Sequence, residues 1–299
     1  MSARSARGAL ALCATLAVAG CSILRGLDDY NSGSPVGDAS TGGSGGVDAS
    51  TGGSAGSSGS SSGGSGASGG SAGSGGESGA DAGGGCDEAD LPQADYVVHS
   101  VPVDSLAING ACNDAAWQAA PPIPFDVASP TSNTAVCKLL WSTGSVSHLY
   151  GCCEVQDTKL ESEFTAPDSD VFEDDSVEVL IKGDTNRSEF GPTASKVIIN
   201  LRKAVYDVDY VPGLWDLSYS AAAVTGVVLH GTLDDATPDT GYSIEWRMNL
   251  EFAPKPTEPG LLGFALNDRD DGIRVHWNAF GKSVNVPADW GTVAFCPAP

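Results

Sequence analysis

From residue 31 to residue 85 the chain is almost entirely Gly, Ser, Ala and Thr, with scattered Asp and hardly a large apolar side chain. Such a segment buries too little apolar surface to offset its conformational entropy, so it is expected to stay disordered. As a Gly/Ser coil it has a root-mean-square span of about 40 Å. The echo of Asp38-Ala39-Ser40-Thr41-Gly42-Gly43 in Asp48-Ala49-Ser50-Thr51-Gly52-Gly53 is low-complexity slippage, not a folded repeat. Folding is therefore confined to residues 86–299, a length that suits one well-buried core.

Ahead of the tract, Arg4 and Arg7 precede a short apolar run over 9–19, too short to span a bilayer as a stable helix. Charged start, apolar middle and small residues before a cut describe a secretory signal peptide over 1–20. Val18-Ala19-Gly20-Cys21 resembles the lipobox of bacterial lipoproteins, in which the cysteine is lipidated and becomes the new N-terminus. That resemblance implies a lipid-anchored N-terminus over 21–30, with Cys21 as the attachment site. Ser22 follows the cysteine, where an Asp would retain a lipoprotein at the inner membrane. The expected location is the outer membrane, on its cell-surface or periplasmic face, with the tract as a tether. Membrane contact is then through the lipid alone.

The formal charge of −23 lies mostly in 86–299. It argues against nucleic acid and anionic lipid as direct partners and is compatible with neutral ligands and with calcium. Of eight cysteines, setting aside Cys13 and Cys21 leaves Cys86, Cys112, Cys137, Cys152, Cys153 and Cys296. An even set in an exported chain without a C-x-x-C pair points to disulfides over zinc. Cys137 flanks the turn Ser142-Thr143-Gly144-Ser145 opposite Cys152 and Cys153, and either of those can face it across a hairpin. Cys152 and Cys153 point to opposite faces of a strand and should choose different partners. Cys86 and Cys296 bracket the domain, and domain termini often lie close together.

The domain reads as strands. Tyr242, Ile244, Trp246, Met248 and Leu250 alternate with Ser243, Glu245, Arg247 and Asn249. Val177, Val179 and Ile181 alternate with Glu178 and Lys182, and Val197, Ile199 and Leu201 repeat the pattern. Further β-rich runs cover 135–141, 146–155, 223–230, 261–266 and 292–296, and one helical turn is expected over 114–119. Many short strands with a single helical turn imply an all-β fold, an antiparallel β-sandwich.

Five segments, in order, resemble the family 9 carbohydrate-binding modules and their relatives. Ile108-Asn109-Gly110-Ala111-Cys112-Asn113-Asp114-Ala115-Ala116-Trp117 is similar to the family's I-D-G-x-x-D-E-A-x-W opening. Leu139-Leu140-Trp141 with His148-Leu149-Tyr150 resembles its L-W-D-x-x-x-L-Y hairpin. Phe172-Glu173-Asp174-Asp175-Ser176-Val177-Glu178-Val179 resembles its W-E-D-D-S-V-E-V segment. Gly263-Phe264-Ala265-Leu266-Asn267-Asp268-Arg269-Asp270 and Trp290-Gly291-Thr292-Val293 are similar to its G-F-D-v-x-v-N-D-x-D and W-G-t-l segments. The resemblance implies a jelly-roll-like sandwich, structural calcium without an organic cofactor, and binding of a polysaccharide or oligosaccharide. It implies no catalysis, so any part in polysaccharide breakdown would come through a partner enzyme.

In the family two aromatic residues clamp a sugar. Phe172 stands where one is usually Trp, and Ser283-Val284-Asn285 before Pro287 has no ring where the other belongs. Trp215, in Pro212-Gly213-Leu214-Trp215-Asp216, is the substitute platform, read as lying in a loop with Tyr210 and Tyr219 nearby. Trp277 and Asn285 complete the candidate sugar contacts. Asp174, Asp175, Asp268 and Asp270 are the candidate calcium ligands, since calcium takes several hard oxygen donors. Trp117, Trp141 and Trp246 are read as core, and Trp290 as structural. Two alternatives to sugar binding are a structural, protein-interacting lipoprotein and a haem-binding electron-transfer relative of the sandwich. The second would use Met248 with one of His99, His148, His230 or His276.

Overall fold

Apolar residues at every second position must reach one buried face, and the chain satisfies this by curling a single sheet around its own core. The computed structural model describes residues 88–125, 128–281 and 283–297. Cys21, the signal peptide expected over 1–20, the Gly/Ser tract and Cys86 lie outside them. The strands are β1 (Tyr96–Ser100), β2 (Thr134–Ser142), β3 (His148–Gln156), β4 (Ser176–Lys182), β5 (Ser195–Asn200) and β6 (Val205–Val211). They continue as β7 (Leu214–Asp216), β8 (Val224–Leu229), β9 (Tyr242–Asn249), β10 (Gly260–Asp270), β11 (Ile273–Asn278) and β12 (Gly291–Cys296). Their order is β7-β6-β5-β4-β10-β12-β1-β2-β3-β9-β8, with β11 added beside β10.

One strand departs from the antiparallel pattern. β1 runs parallel to both β12 and β2, joining the half that ends in β7 to the half that ends in β8. Alternate residues of both halves meet in one core, including Val177, Val179 and Ile181 of β4 and Ile244, Trp246 and Met248 of β9. Trp246 stacks on Phe264 of β10 at 6.3 Å between ring centroids, so the halves touch through aromatic rings. Gly151 lies opposite Trp246 on β3, and a Cβ there would come within 1.9 Å of the indole. The expected helical turn is a 3-10 turn, Ala115–Gln118, and further short 3-10 turns occur at Val171–Glu173 and Pro287–Asp289.

A second apolar cluster covers the outer face of the β2–β3–β9 half. Leu106, Cys112, Trp117 and Ala120 pack there on Leu140, Tyr150 and Cys152. The segment is latched by Glu245, a fully buried carboxylate on β9. Its Oε2 accepts from the N–H groups of Asn109 (2.9 Å) and Gly110 (2.8 Å), and its Oε1 from the Trp117 indole (3.0 Å). Backbone packs on backbone at this latch: a Cβ on Gly110 would sit 2.5 Å from Val227 N, and Gly110 has φ +90°. Only glycine meets both conditions without strain.

The two neighbouring cysteines do choose different partners. Cys153, facing the core, bonds Cys137 across the β2–β3 hairpin, and Cys152, facing outwards, bonds Cys112. Cys296 is also disulfide-bonded.

Candidate functional site

The outer face of the β4–β7 and β10–β11 half carries a row of charged and polar side chains that are almost completely buried. On β4, Glu178 lies between two core residues and so faces outwards, yet it is fully buried. It pairs with Lys196 of β5 at 2.8 Å. Asn267 of β10 donates through Nδ2 to Ser176 Oγ at 3.0 Å and lies 3.5 Å from Glu178 Oε2. Its Oδ1 is buried with no hydrogen-bond partner. His276 of β11 lies opposite Asn267. Burial pushes the His276 pKa down to about 4; Glu178 opposes the shift, and Arg274 and Lys196 add to it. The imidazole is therefore neutral at physiological pH.

One wall of this row is the 3-10 turn Val171–Glu173. Phe172 is half-buried, edge-to-face with Tyr206 of β6 at 6.5 Å. The Arg274 guanidinium lies 5.2 Å from the Phe172 ring centroid, donates to the Phe172 carbonyl at 3.3 Å and pairs with Glu173 at 3.3 Å. Asp174 secures the turn from below. It is fully buried, accepts from Glu163 N, Phe164 N, Ser162 Oγ and Asn200 Nδ2, and pairs with Arg269.

The opposite wall is built from two loops. Lys182, buried on β4, donates to the carbonyls of Asn186 (2.7 Å) and Glu189 (2.9 Å) and pairs with Asp184. That fixes the loop carrying Phe190. Arg187 donates to the carbonyls of Ala288 and Trp290, tying this loop to the turn before β12. Val284 and Trp290 pack there on Leu180, Leu261 and Ala265, with Phe190 and Trp215 against them. Asn285 is half-buried in the same turn, its N–H donating to Ser283 Oγ.

Trp215 lies on a short edge strand, β7, and not in a loop. It faces Tyr210 of β6 at 5.5 Å as expected, but Tyr219 packs against the main core instead. Trp277 turns to the core side of β11, where it lies 4.3 Å from Phe125. Met248 is fully buried in the main core. From sequence, Glu178, Lys196, Asn267, Arg274 and Tyr206 carry no site role, and His276 is offered only as a haem partner of Met248. The available signal was Glu178, an acid on the side of a core strand that alternation assigns to water.

A separate acidic group closes one end of the core. Carboxylate oxygens of Asp157, Asp268 and Asp270 lie within 4.8 Å of one another. Asp268 Oδ1 and Asp270 Oδ1 are buried without hydrogen-bond partners. Burial pushes the Asp157 pKa up to about 7, with Asp268 and Asp270 adding their repulsion. Asp157 and Asp268 also line a cavity of about 10 Å³, the scale of one water or ion. Crowded carboxylates with unpaired oxygens beside such a space are a donor set that fits a hard divalent cation. Asp175 is engaged differently, accepting from the N–H groups of Glu161 and Arg269 at 2.7 Å each. So Asp268 and Asp270 come together with Asp157, while Asp174 and Asp175 hold the chain that surrounds them.

Among the described residues no helix is long and apolar enough to cross a membrane. Comparison with curated proteins finds no match. Among solved structures, a family 9 carbohydrate-binding module from Caldicellulosiruptor kristjanssonii in complex with cellotriose is 23% identical. Its TM-score is 0.50, and the match covers 67% of this chain and 93% of that one. A family 9 module from the same organism in complex with glucose gives the same identity and TM-score, over 67% of this chain and 95% of that one. The likeness supports the β-sandwich fold of a carbohydrate-binding module. The profile of the family described as carbohydrate family 9 binding domain-like matches residues 108–295, from the Glu245-latched segment into β12. That span covers most of the chain and every site residue described above, and the chain belongs to this family.

Proposed function

We propose that the domain binds a glycan on the outer face of β4, β5, β10 and β11, without catalysis. The observation that carries this reading is the buried row Glu178–Lys196–Asn267, with the unpartnered Asn267 Oδ1, beside the Phe172 ring. Sugars present hydroxyls that need both donors and acceptors and C–H faces that pack on flat apolar rings. The row supplies an ammonium, a carboxylate and an amide, and Phe172 with Tyr206 supplies the rings. Membership of the family agrees with this, as do the cellotriose and glucose bound to the Caldicellulosiruptor modules. The ligand class is a polysaccharide or oligosaccharide, and any cleavage of it belongs to a partner enzyme. A glycan-array screen of the domain tests the reading: binding to at least one glycan class is expected, and binding to none contradicts it.

A calcium ion held by Asp157, Asp268 and Asp270 completes the proposal. Its chemistry is structural: neutralised carboxylates tie the chain after β3 to the end of β10. Calcium at a hundred times its Kd should stabilise the fold by about 2.7 kcal/mol, or roughly 5–10 °C in Tm for a domain of this size. Thermal melts in calcium and in EDTA at pH 7.5 check this, and superimposable curves would contradict it.

The lipobox and the Gly/Ser tract support a display arrangement: lipid on Cys21, a flexible arm, and the sandwich held away from the outer membrane. Cys21→Ser should move the protein from the detergent phase to the aqueous phase in Triton X-114 partitioning. A variant that stays in the detergent phase is inconsistent with lipid anchoring at Cys21.

A further inference from the structure

The polar row is flanked by aromatic rings on both sides, not one. Along β6, Tyr206 and Tyr210 occupy the same face, with Val208 between them opposite Lys196. Tyr206 meets Phe172, while Tyr210 meets Trp215, its register partner on β7. Four residues of extended strand separate the two pairs by about 13 Å. That is longer than a single pyranose ring, and the Glu178–Lys196 pair sits between the ends.

The far pair is braced as a platform. Phe190 packs on Trp215 at 4.7 Å, on Tyr210 at 5.5 Å and on Trp290 at 5.7 Å. Phe190 is itself held by the loop that Lys182 and Arg187 pin. Trp215 stays half-exposed on the outermost strand, and its neighbour Leu214 is 58% exposed. A rigid ring at an open sheet edge, on the same outer face as the polar row, presents apolar area at little entropic cost to a ligand already seated over that row.

We infer that this outer face takes a linear oligosaccharide: one sugar packs on Phe172 and Tyr206 over the polar row, and a later sugar packs on Trp215 and Tyr210. The inference rests on the glycan-binding reading above and adds a length requirement to it. A single sugar fills only the Phe172 end. The Trp215 end contributes only when the chain is long enough to reach it, so Trp215 sets the preferred ligand length.

Calorimetric titration of the full chain with β-1,4-linked gluco-, xylo- and manno-oligosaccharides of one to five units tests this. In the series that binds, wild-type affinity should rise about tenfold between the disaccharide and the tetrasaccharide, the worth of one stacked ring. Trp215→Ala should lose that rise and keep the disaccharide affinity, while Trp215→Phe should retain most of it. An affinity that does not grow with length in the wild type overturns the extended site and leaves the glycan reading standing. Failure of all three series to bind overturns the extended site, and the glycan reading falls with it only if the array also returns no ligand. The wild-type ladder decides the question even if Trp215→Ala does not fold.

Discussion

Trp117→Ala should destabilise the domain by about 3–5 kcal/mol through the cavity it leaves, with a fall in Tm on the order of 10 °C. Trp117 is 1% exposed and fills the cluster formed with Leu106, Leu140, Tyr150 and the Cys112–Cys152 bridge. Its indole is also one of three donors to the buried Glu245 carboxylate, so the substitution strips a partner from a group with no access to water. Trp117→Phe separates the two effects, because it keeps most of the packing and loses only the N–H. Glycan affinity of the folded fraction should not change, since this cluster covers the half of the sheet that does not carry the polar row. Melting curves and calorimetry on the same samples check both statements.

Neutralising the polar row should do the reverse. Glu178→Gln alone leaves the Lys196 ammonium buried without its counter-ion, and breaking a buried pair costs about 3–5 kcal/mol of stability. The double variant Glu178→Gln with Lys196→Met removes both charges, and its stability should return close to that of the wild type. Its affinity for the glycan returned by the array should nevertheless fall about thirtyfold or more, the loss associated with a central hot spot. A double variant that binds as tightly as the wild type would remove the row from the site.

The legible and illegible parts of this molecule divide along physical lines. Alternation is strong where one face meets the core, and β9, β4 and β5 follow from it within a residue or two. β6 and β11 carry mixed faces. In β6, Tyr and Asp interleave because Asp207 turns inwards to accept from Ala221 N while Tyr206 and Tyr210 meet Phe172 and Trp215 on the outer face. In β11, Arg274 and His276 lie on the outer face, opposite Trp277, so no apolar run announces the strand. β7 is too short to show a period, which is why Trp215 reads as a loop residue.

The same limit hides the site. Period-two alternation says that Glu178 leaves the core face, but it cannot say that Lys196 of β5 and Asn267 of β10 meet it there in place of water. Asp157 is invisible for a related reason. It lies just after β3, and the register of β10 in the sheet alone brings Asp268 and Asp270 to it. The cysteine pairing was half legible: strand geometry sends Cys152 and Cys153 to different partners, and the hairpin register then selects Cys153 for Cys137.

The central claim is that a glycan lies on the outer face between Phe172 and Trp290. Its most direct test is a titration of the ¹⁵N-labelled protein with the array-selected glycan, followed by amide chemical shifts. The account predicts the largest changes at Phe172, Glu178, Lys196, Asn267 and His276, with little change over 106–120. Shifts confined to the 106–120 face or to the β8 edge, with those five amides unmoved, would contradict it.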